Sequence, residues 1–394
     1  MRIAHVITGL NVGGAETMLY RLISQMDRRQ FEPEVISLTD VGVVGRRIQD
    51  LGIRVRCLNM NRRVPNPMRF CELGWLLRKW SPQVVQTWMI HSDLLGGLAS
   101  FLAGRFPVVW GVHQTGLDPA FRKWSSRVTL KCCIKLSRTI PSKIVCCSRA
   151  SMATHAALGY PRSRMVVIPN GFDLSTLYQD PGGGKAVRDE LHLSEDTPVV
   201  GLVARFHPQK DHGTFFRAAT LLIKRIPEVH FVLCGDGVTL EEPSLQELVT
   251  SSASPGSFHL LGRRDDVSRV ISAFTVATLA SAWGEAFPLS IGEAMCCEIP
   301  CVATDVGDVV RIVGTTGRIV PTRNAEALSE AWFDLLSMTP TERRDLGRAA
   351  RARVGRHFSL SAVVSQYETL YREVGGGLMV TNGYGASVVC DDFE

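Results

Sequence analysis

Two glutamates, Glu285 and Glu293, stand eight residues apart in "WGEAFPLSIGEAM", around a Phe-Pro and inside an otherwise apolar run. Carboxylates so placed can act as a general acid and base, ligate a metal, or grip the hydroxyls of a polar ligand. Pro288 suits the first turn of a helix, where its missing N–H costs nothing. The sequence therefore predicts a helix over 287–296, with Glu285 in the loop ahead of it and Glu293 near its second turn. Were both helical, they would lie roughly 12 Å apart along the axis, too far to share one metal ion. With Glu285 in a loop, the two can hold separate parts of one extended ligand, beside the free N–H groups of Phe287, Leu289 and Ser290. An acid and base pair stays open, although the positive end of a helix favours the charged form of a carboxylate beside it.

Two further stretches carry chemistry. In "ITGLNVGGAET", Gly9, Gly13 and Gly14 separate a strand-like run from a helix that opens with Ala15 and Glu16. Glycines let the backbone approach a ligand closely, and helix N-terminal amides favour phosphate. The spacing is not GxGxxG, and no acidic residue ends the second strand where a nicotinamide ribose would be held. Dinucleotide redox chemistry loses ground accordingly. In "VVGLVARFHPQKDH", Arg205 and Lys210 leave the carboxyl end of a predicted parallel strand, where two cations suit a diphosphate.

These residues need a scaffold. At 394 residues the chain exceeds one ordinary core. Short β-branched runs alternate with helical patterns of 10–15 residues through both halves, which predicts an α/β fold of two Rossmann-like domains, each built on a parallel sheet. The polar, Gly-rich stretch from Gly171 to about Pro198, with "DPGGGK", reads as a linker between them. The N-terminus lacks the h-region and cleavage site of a signal peptide. The longest weakly polar run, residues 270–283, is shorter than the roughly 18–20 residues a bilayer demands. Eleven cysteines show neither zinc spacing nor a disulfide framework, so reduced thiols in a cytoplasmic protein are expected.

The segment 281–307 resembles the E-x7-E hallmark of retaining glycosyltransferases of family 4, whose GT-B fold sets two Rossmann-like domains face to face. "GLNVGGAET" resembles that family's glycine loop, "IPNGFD" its interdomain connection, and "ARFHPQKDH" its diphosphate clamp. "CGDG" and "LGRRDDV" are similar to its nucleotide-side loops, and "FSLSAVVSQYETLYREV" to its terminal cross-over helix. The resemblance implies an acceptor domain at 1–180, a donor domain at 181–357, a helix at 358–374 crossing back to the first domain, and a loose tail at 375–394. It implies a UDP- or GDP-linked sugar as donor, a glycan or lipid-linked acceptor, and no metal or other cofactor.

By the same resemblance, Glu293 binds the ribose and Glu285 the transferred sugar. Arg205 and Lys210 neutralise the diphosphate, helped by amides at Gly13, Gly14, Phe287 and Leu289, on either side of Pro288. Loop residues around Gly235 and Arg263 flank the base, and His113 at the end of "VVWGVH" lies beside acceptor and sugar. Two departures bear on sugar identity: Ala286 where the family usually has glycine, and Asp308 and Arg311 where glycine and glutamate are more usual. A sugar-nucleotide epimerase of the same fold and a non-catalytic nucleotide-sugar-binding subunit are the alternatives.

Charge is divided unevenly. Residues 1–180 hold 24 Lys and Arg against 11 Asp and Glu, a net of +13, whereas residues 181–394 net −7. Residues 119–172 contain no carboxylate, and Arg122, Lys123, Arg127, Lys131, Lys135, Arg138 and Lys143 fall on one helical pattern. With Trp75, Arg78, Lys79 and Trp80 of residues 68–80, they suit an anionic membrane surface. A peripheral location on the inner face of the membrane follows as an expectation. No nucleic-acid motif accompanies the basic stretch, so nucleic acid is not an expected partner.

Overall fold

The computed structural model describes residues 1–61, 66–115, 124–252 and 254–376. The first half alternates β1 (Arg2–Ile7), α1 (Gly14–Gln25), β2 (Glu32–Ser37), α2 (Gly42–Asp50), β3 (Val55–Cys57), α3 (Pro67–Trp80), β4 (Val84–Trp88), α4 (Ile90–Ala103), β5 (Val108–Val112), α5 (Trp124–Leu136), β6 (Lys143–Cys146), α6 (Arg149–Ala157) and β7 (Met165–Val167). The second continues with α7 (Pro181–Glu190), β8 (Val199–Val203), α8 (His212–Ile223), β9 (His230–Cys234), α9 (Pro243–Thr250), β10 (Phe258–Leu260), α10 (Val267–Ser272), β11 (Val276–Leu279), α11 (Leu289–Cys296), β12 (Cys301–Thr304), α12 (Val309–Val313), β13 (Gly317–Val320), α13 (Ala325–Ser337), α14 (Pro340–Phe358) and α15 (Leu360–Gly375).

The central strands β4 and β5 are buried on both faces, the environment that near-continuous β-branched runs require. All strand pairs are parallel, in the orders β3-β2-β1-β4-β5-β6-β7 and β10-β9-β8-β11-β12-β13. The order reverses between β1 and β4 in one sheet and between β8 and β11 in the other, and ligands of such sheets bind outside the carboxyl ends at that point. The glycine loop follows β1, Arg205 and Lys210 follow β8, and Glu285 follows β11, all strands at these reversals, whereas Arg263 follows the edge strand β10. Right-handed crossovers send α1 and α2 to one face of the first sheet and α3 to α6 to the other. The packing of α1 on α2, α3 on α4 and α4 on α5 follows from this.

The chain passes between the domains twice. Phe172 N–H donates to Phe358 O at 2.9 Å, and Leu360 N–H donates to Phe172 O at 2.9 Å, so the two passages are tied together. Beyond them α15 lies on the first domain, burying Val363, Tyr367 and Tyr371 beside Ile3 and Trp88.

Two local expectations need correction. "DPGGGK" is not an open linker but the first turn of α7: Asp180 caps it by accepting from Gly183 N at 2.8 Å, and Pro181 follows the cap. Gly184 serves close packing, because a Cβ there would come within 2.6 Å of Ser272 O. In addition, α11 begins at Leu289 rather than at 287; Pro288, with φ −69° and ψ 116°, is the extended residue ahead of it. Arg122, Lys123 and the tail from residue 377 lie outside the described residues. Among the described residues no helix is long and apolar enough to cross a membrane.

Candidate functional site

The site is assembled from strand ends. β11 runs out through Ser281 to Gly284, whose φ of +77° turns the chain before Glu285. Glu285 is 8% exposed. Its Oε1 takes an ion pair from Lys210 Nζ and a 2.7 Å bond from Ser281 Oγ, while Oε2 takes no bond among the described residues. A short 3-10 turn, Pro208–Lys210, directs Lys210 onto Glu285, a contact the sequence did not suggest. An ammonium has three donors, so one bond to Glu285 leaves others for a phosphate.

The backbone at this point is held from two sides. Thr115 Oγ1, of the first domain, donates to Glu285 O at 2.7 Å. From below, Gly307, with φ +59°, approaches so closely that a Cβ would lie 2.3 Å from Glu285 O. Ala286 and Phe287 are buried in the apolar cluster of the second domain, and Phe287 stacks on Phe172 at 6.1 Å.

Glu293 lies in the second turn of α11. Its Oε1 pairs with Arg21 Nη2 of α1 at 2.6 Å, and its Oε2 takes no bond among the described residues. Arg21 also donates to Gly171 O at 3.3 Å and lies over the Phe172 ring. Gly13 is the N-cap of α1, and a Cβ on Gly14 would stand 3.9 Å from Leu289 Cδ1. The N-termini of α1 and α11 thus lie close across the cleft, with the Glu16 carboxylate against Gly13 at the first of them, and helix N-terminal amides favour an anion there.

Arg205 is exposed just beyond β8. Gly235, with φ +157°, packs against that turn, where a Cβ would come 2.2 Å from Ala204 O. Arg263 is exposed beyond β10 and 3.7 Å from Asp265, whereas its neighbour Arg264 is committed to Asp266 and Glu190. The structure brings neither Arg205 nor Arg263 onto the two glutamates. His113 follows β5 and stacks on Trp88 at 4.9 Å, with neither ring nitrogen hydrogen-bonded. Burial lowers its pKa to about 4, so it is a neutral imidazole. Among the described residues no group of three or more His, Cys, Asp or Glu is placed to hold a metal ion.

Arg21, Thr115 and Ser281 were not anticipated as parts of this site, and Asp308, singled out in the sequence for sugar identity, makes a contact that was not anticipated. Asp308 accepts from Arg149 N at 2.9 Å and Ala150 N at 2.8 Å, the first turn of α6, so a carboxylate of one domain caps a helix of the other. Arg311 pairs with it at 3.3 Å. The unusual Asp308 and Arg311 thus form a domain contact, a role that only the tertiary structure discloses.

Residues 12–176 match the model "Glycosyltransferase Family 4" and residues 197–338 match "Glycosyl transferases group 1". The chain belongs to glycosyltransferase family 4. The enzyme is 26% identical to the Escherichia coli UDP-Gal:alpha-D-GlcNAc-diphosphoundecaprenol alpha-1,3-galactosyltransferase, over 78% of this chain and 80% of that one. It is 27% identical to the Mycolicibacterium smegmatis alpha-maltose-1-phosphate synthase, over 89% and 98% respectively. Anabaena HepE in complex with UDP-glucose superposes with a TM-score of 0.82 at 22% identity, covering 94% of this glycosyltransferase and 99% of HepE. The fold is GT-B.

Proposed function

We propose that this glycosyltransferase moves a sugar from a UDP- or GDP-linked donor to a glycan or lipid-linked acceptor, retaining anomeric configuration and using no metal ion. One observation carries the reading: two carboxylates, each with one oxygen held and one available, flank the neighbouring N-termini of α1 and α11 in the cleft. That arrangement fits a ligand with hydroxyls at both ends and a diphosphate between. The E. coli relative's name specifies a UDP-sugar and a diphosphoundecaprenol acceptor, and HepE was solved with UDP-glucose; both support the choice.

In this reading Glu293 Oε2 takes the ribose hydroxyls and Glu285 Oε2 takes hydroxyls of the sugar. Lys210, Arg205 and the amides of Gly13, Gly14 and Leu289 face the diphosphate. The amide of Phe287 joins them, and Gly235 and Arg263 flank the base. Breaking the bond between the anomeric carbon and phosphate oxygen puts negative charge on the leaving diphosphate, and preorganised cations and amides supply the main stabilisation. The acceptor oxygen then bonds the anomeric carbon on the face the phosphate leaves, and the acceptor proton passes to the departing phosphate oxygen. His113, neutral at physiological pH, orients acceptor or sugar through a hydrogen bond rather than as a cation.

Transfer should survive a chelator, and Arg205→Ala and Lys210→Ala should each lower kcat by about 100-fold or more, as for loss of a charged transition-state contact. Full activity in both variants, or loss of activity in chelator, would overturn the mechanism. Donor consumed to an epimer without acceptor would point instead to the epimerase.

A further inference from the structure

We infer that the outer face of α3, α4 and α5 docks on an anionic lipid bilayer. The three helices lie side by side on the face of the first sheet opposite α15. Of the twelve large apolar residues exposed among the described residues, six fall on this layer: Met68, Trp75, Phe101, Leu102, Trp124 and Val128. Met68, Leu102 and Trp124 are 68% to 77% exposed.

The charges on the same layer are mainly basic. Arg78 and Lys79 end α3, Arg105 follows α4, and Lys131, Lys135 and Arg138 line and follow α5. The carboxylates of these helices are Asp93, which is buried, and Glu72, which is paired with Arg69. Cations also sit over the exposed rings: Lys79 Nζ over Trp75 at 4.8 Å and the Arg105 guanidinium over Phe101 at 4.9 Å. Amphipathic rings beside basic heads are what a lipid headgroup layer accommodates.

This combination selects the occupant. A second copy of the face would set like charges against each other. Nucleic acid would use the cations but leave Met68, Leu102 and Val128 in water. Only an anionic bilayer takes both. Parallel-sheet geometry puts the N-terminal ends of α3 and α5, with Met68 and Trp124, at the cleft edge, and Arg78, Lys79, Arg105 and Arg138 at the far end of the layer, so a face lying flat on lipid holds the cleft beside its surface, where a lipid-linked acceptor would arrive. The inference is independent of the donor chemistry proposed above.

Flotation of the full chain with vesicles tests it. Binding to phosphatidylglycerol-containing vesicles, little binding to phosphatidylcholine alone, and release near 1 M salt, where the screening length falls to about 3 Å, are expected. K131E/K135E/R138E should weaken binding by roughly fivefold or more for each cation replaced. L102S/W124S should weaken it with no change in charge, and hydrogen exchange on vesicles should slow over 67–80 and 124–136. Thermal stabilisation by UDP should be unchanged in both variants, which separates this test from that of the donor site. No binding at low salt, equal binding to neutral vesicles, unimpaired binding by both variants, or a dimer that these substitutions dissolve would each overturn the inference.

Discussion

Glu293 Oε1 is held by Arg21, 272 residues away in sequence, and this sets a specific expectation for the donor. A carboxylate fixed at one oxygen presents the other in a defined direction. We expect Arg21→Ala to raise the donor KM by about tenfold to 100-fold, the cost of a hydrogen bond to a charged group, with kcat within a few-fold. Arg21→Lys should fall between, since an ammonium lacks the fork that reaches both Glu293 and Gly171 O. Tighter donor binding by Arg21→Ala would mean that the pair blocks the site instead. The Lys210–Glu285 pair, with side chains 17% and 9% exposed, makes a second case. Removing one partner strands a buried charge at about 3–5 kcal/mol, and the double variant should regain part of it in urea denaturation. Glu285, Glu293, Arg205 and Lys210 could be singled out from the sequence because each stands in a short local motif, and their roles are those proposed above. The contacts of Arg21 and Asp308 could not, because nothing local to them marks a partner in the other domain.

Elements were read well where periodicity was strong and poorly where side-chain chemistry overrode composition. The parallel strands announced themselves as β-branched runs, and the two-domain α/β plan followed. The glycines of "DPGGGK" implied flexibility, yet Asp180 caps a helix there and Gly184 lets it press on α10. Asp308 shows a cap working between domains. Asp308→Ala leaves the amides of Arg149 and Ala150 without their partner, and should cost about 1 kcal/mol in urea denaturation. A greater fall in donor affinity than in stability would identify the contact as one that positions the Glu285 loop through Gly307. Gly292→Ala probes α11 itself, because a Cβ there would lie 2.0 Å from the Phe172 ring. Overpacking of about 1–3 kcal/mol is expected, and an unchanged urea midpoint would refute that account of the glycine.

Taken as a whole, the molecule buries bases as well as acids, and its stability should follow pH accordingly. Burial lowers His5 to about 3 and His113 and His212 to about 4, against about 6.5 in the unfolded chain. Between these values the unfolded state binds protons that the folded state refuses, so stability is full above pH 6.5 and declines as pH falls toward 4. Asp93, raised well above its usual value by burial, acts in the opposite sense and offsets part of the slope. The urea midpoint should drop between pH 6.5 and 5, and His113→Gln should flatten that drop; a midpoint rising on acidification would contradict it. The joined passages at Phe172 and Phe358–Leu360 have a mechanical meaning of their own. Two domains hung on one pin open by an angle, and the gap between facing residues widens with distance from the pin. Arg21 touches Gly171 and Phe172, beside the pin, so its bond to Glu293 outlasts contacts at the rim. On the proposed roles, opening draws the Gly13 and Gly14 amides away from the diphosphate, while Glu293, Arg205 and Lys210, all of the second domain, keep their hold on the nucleotide.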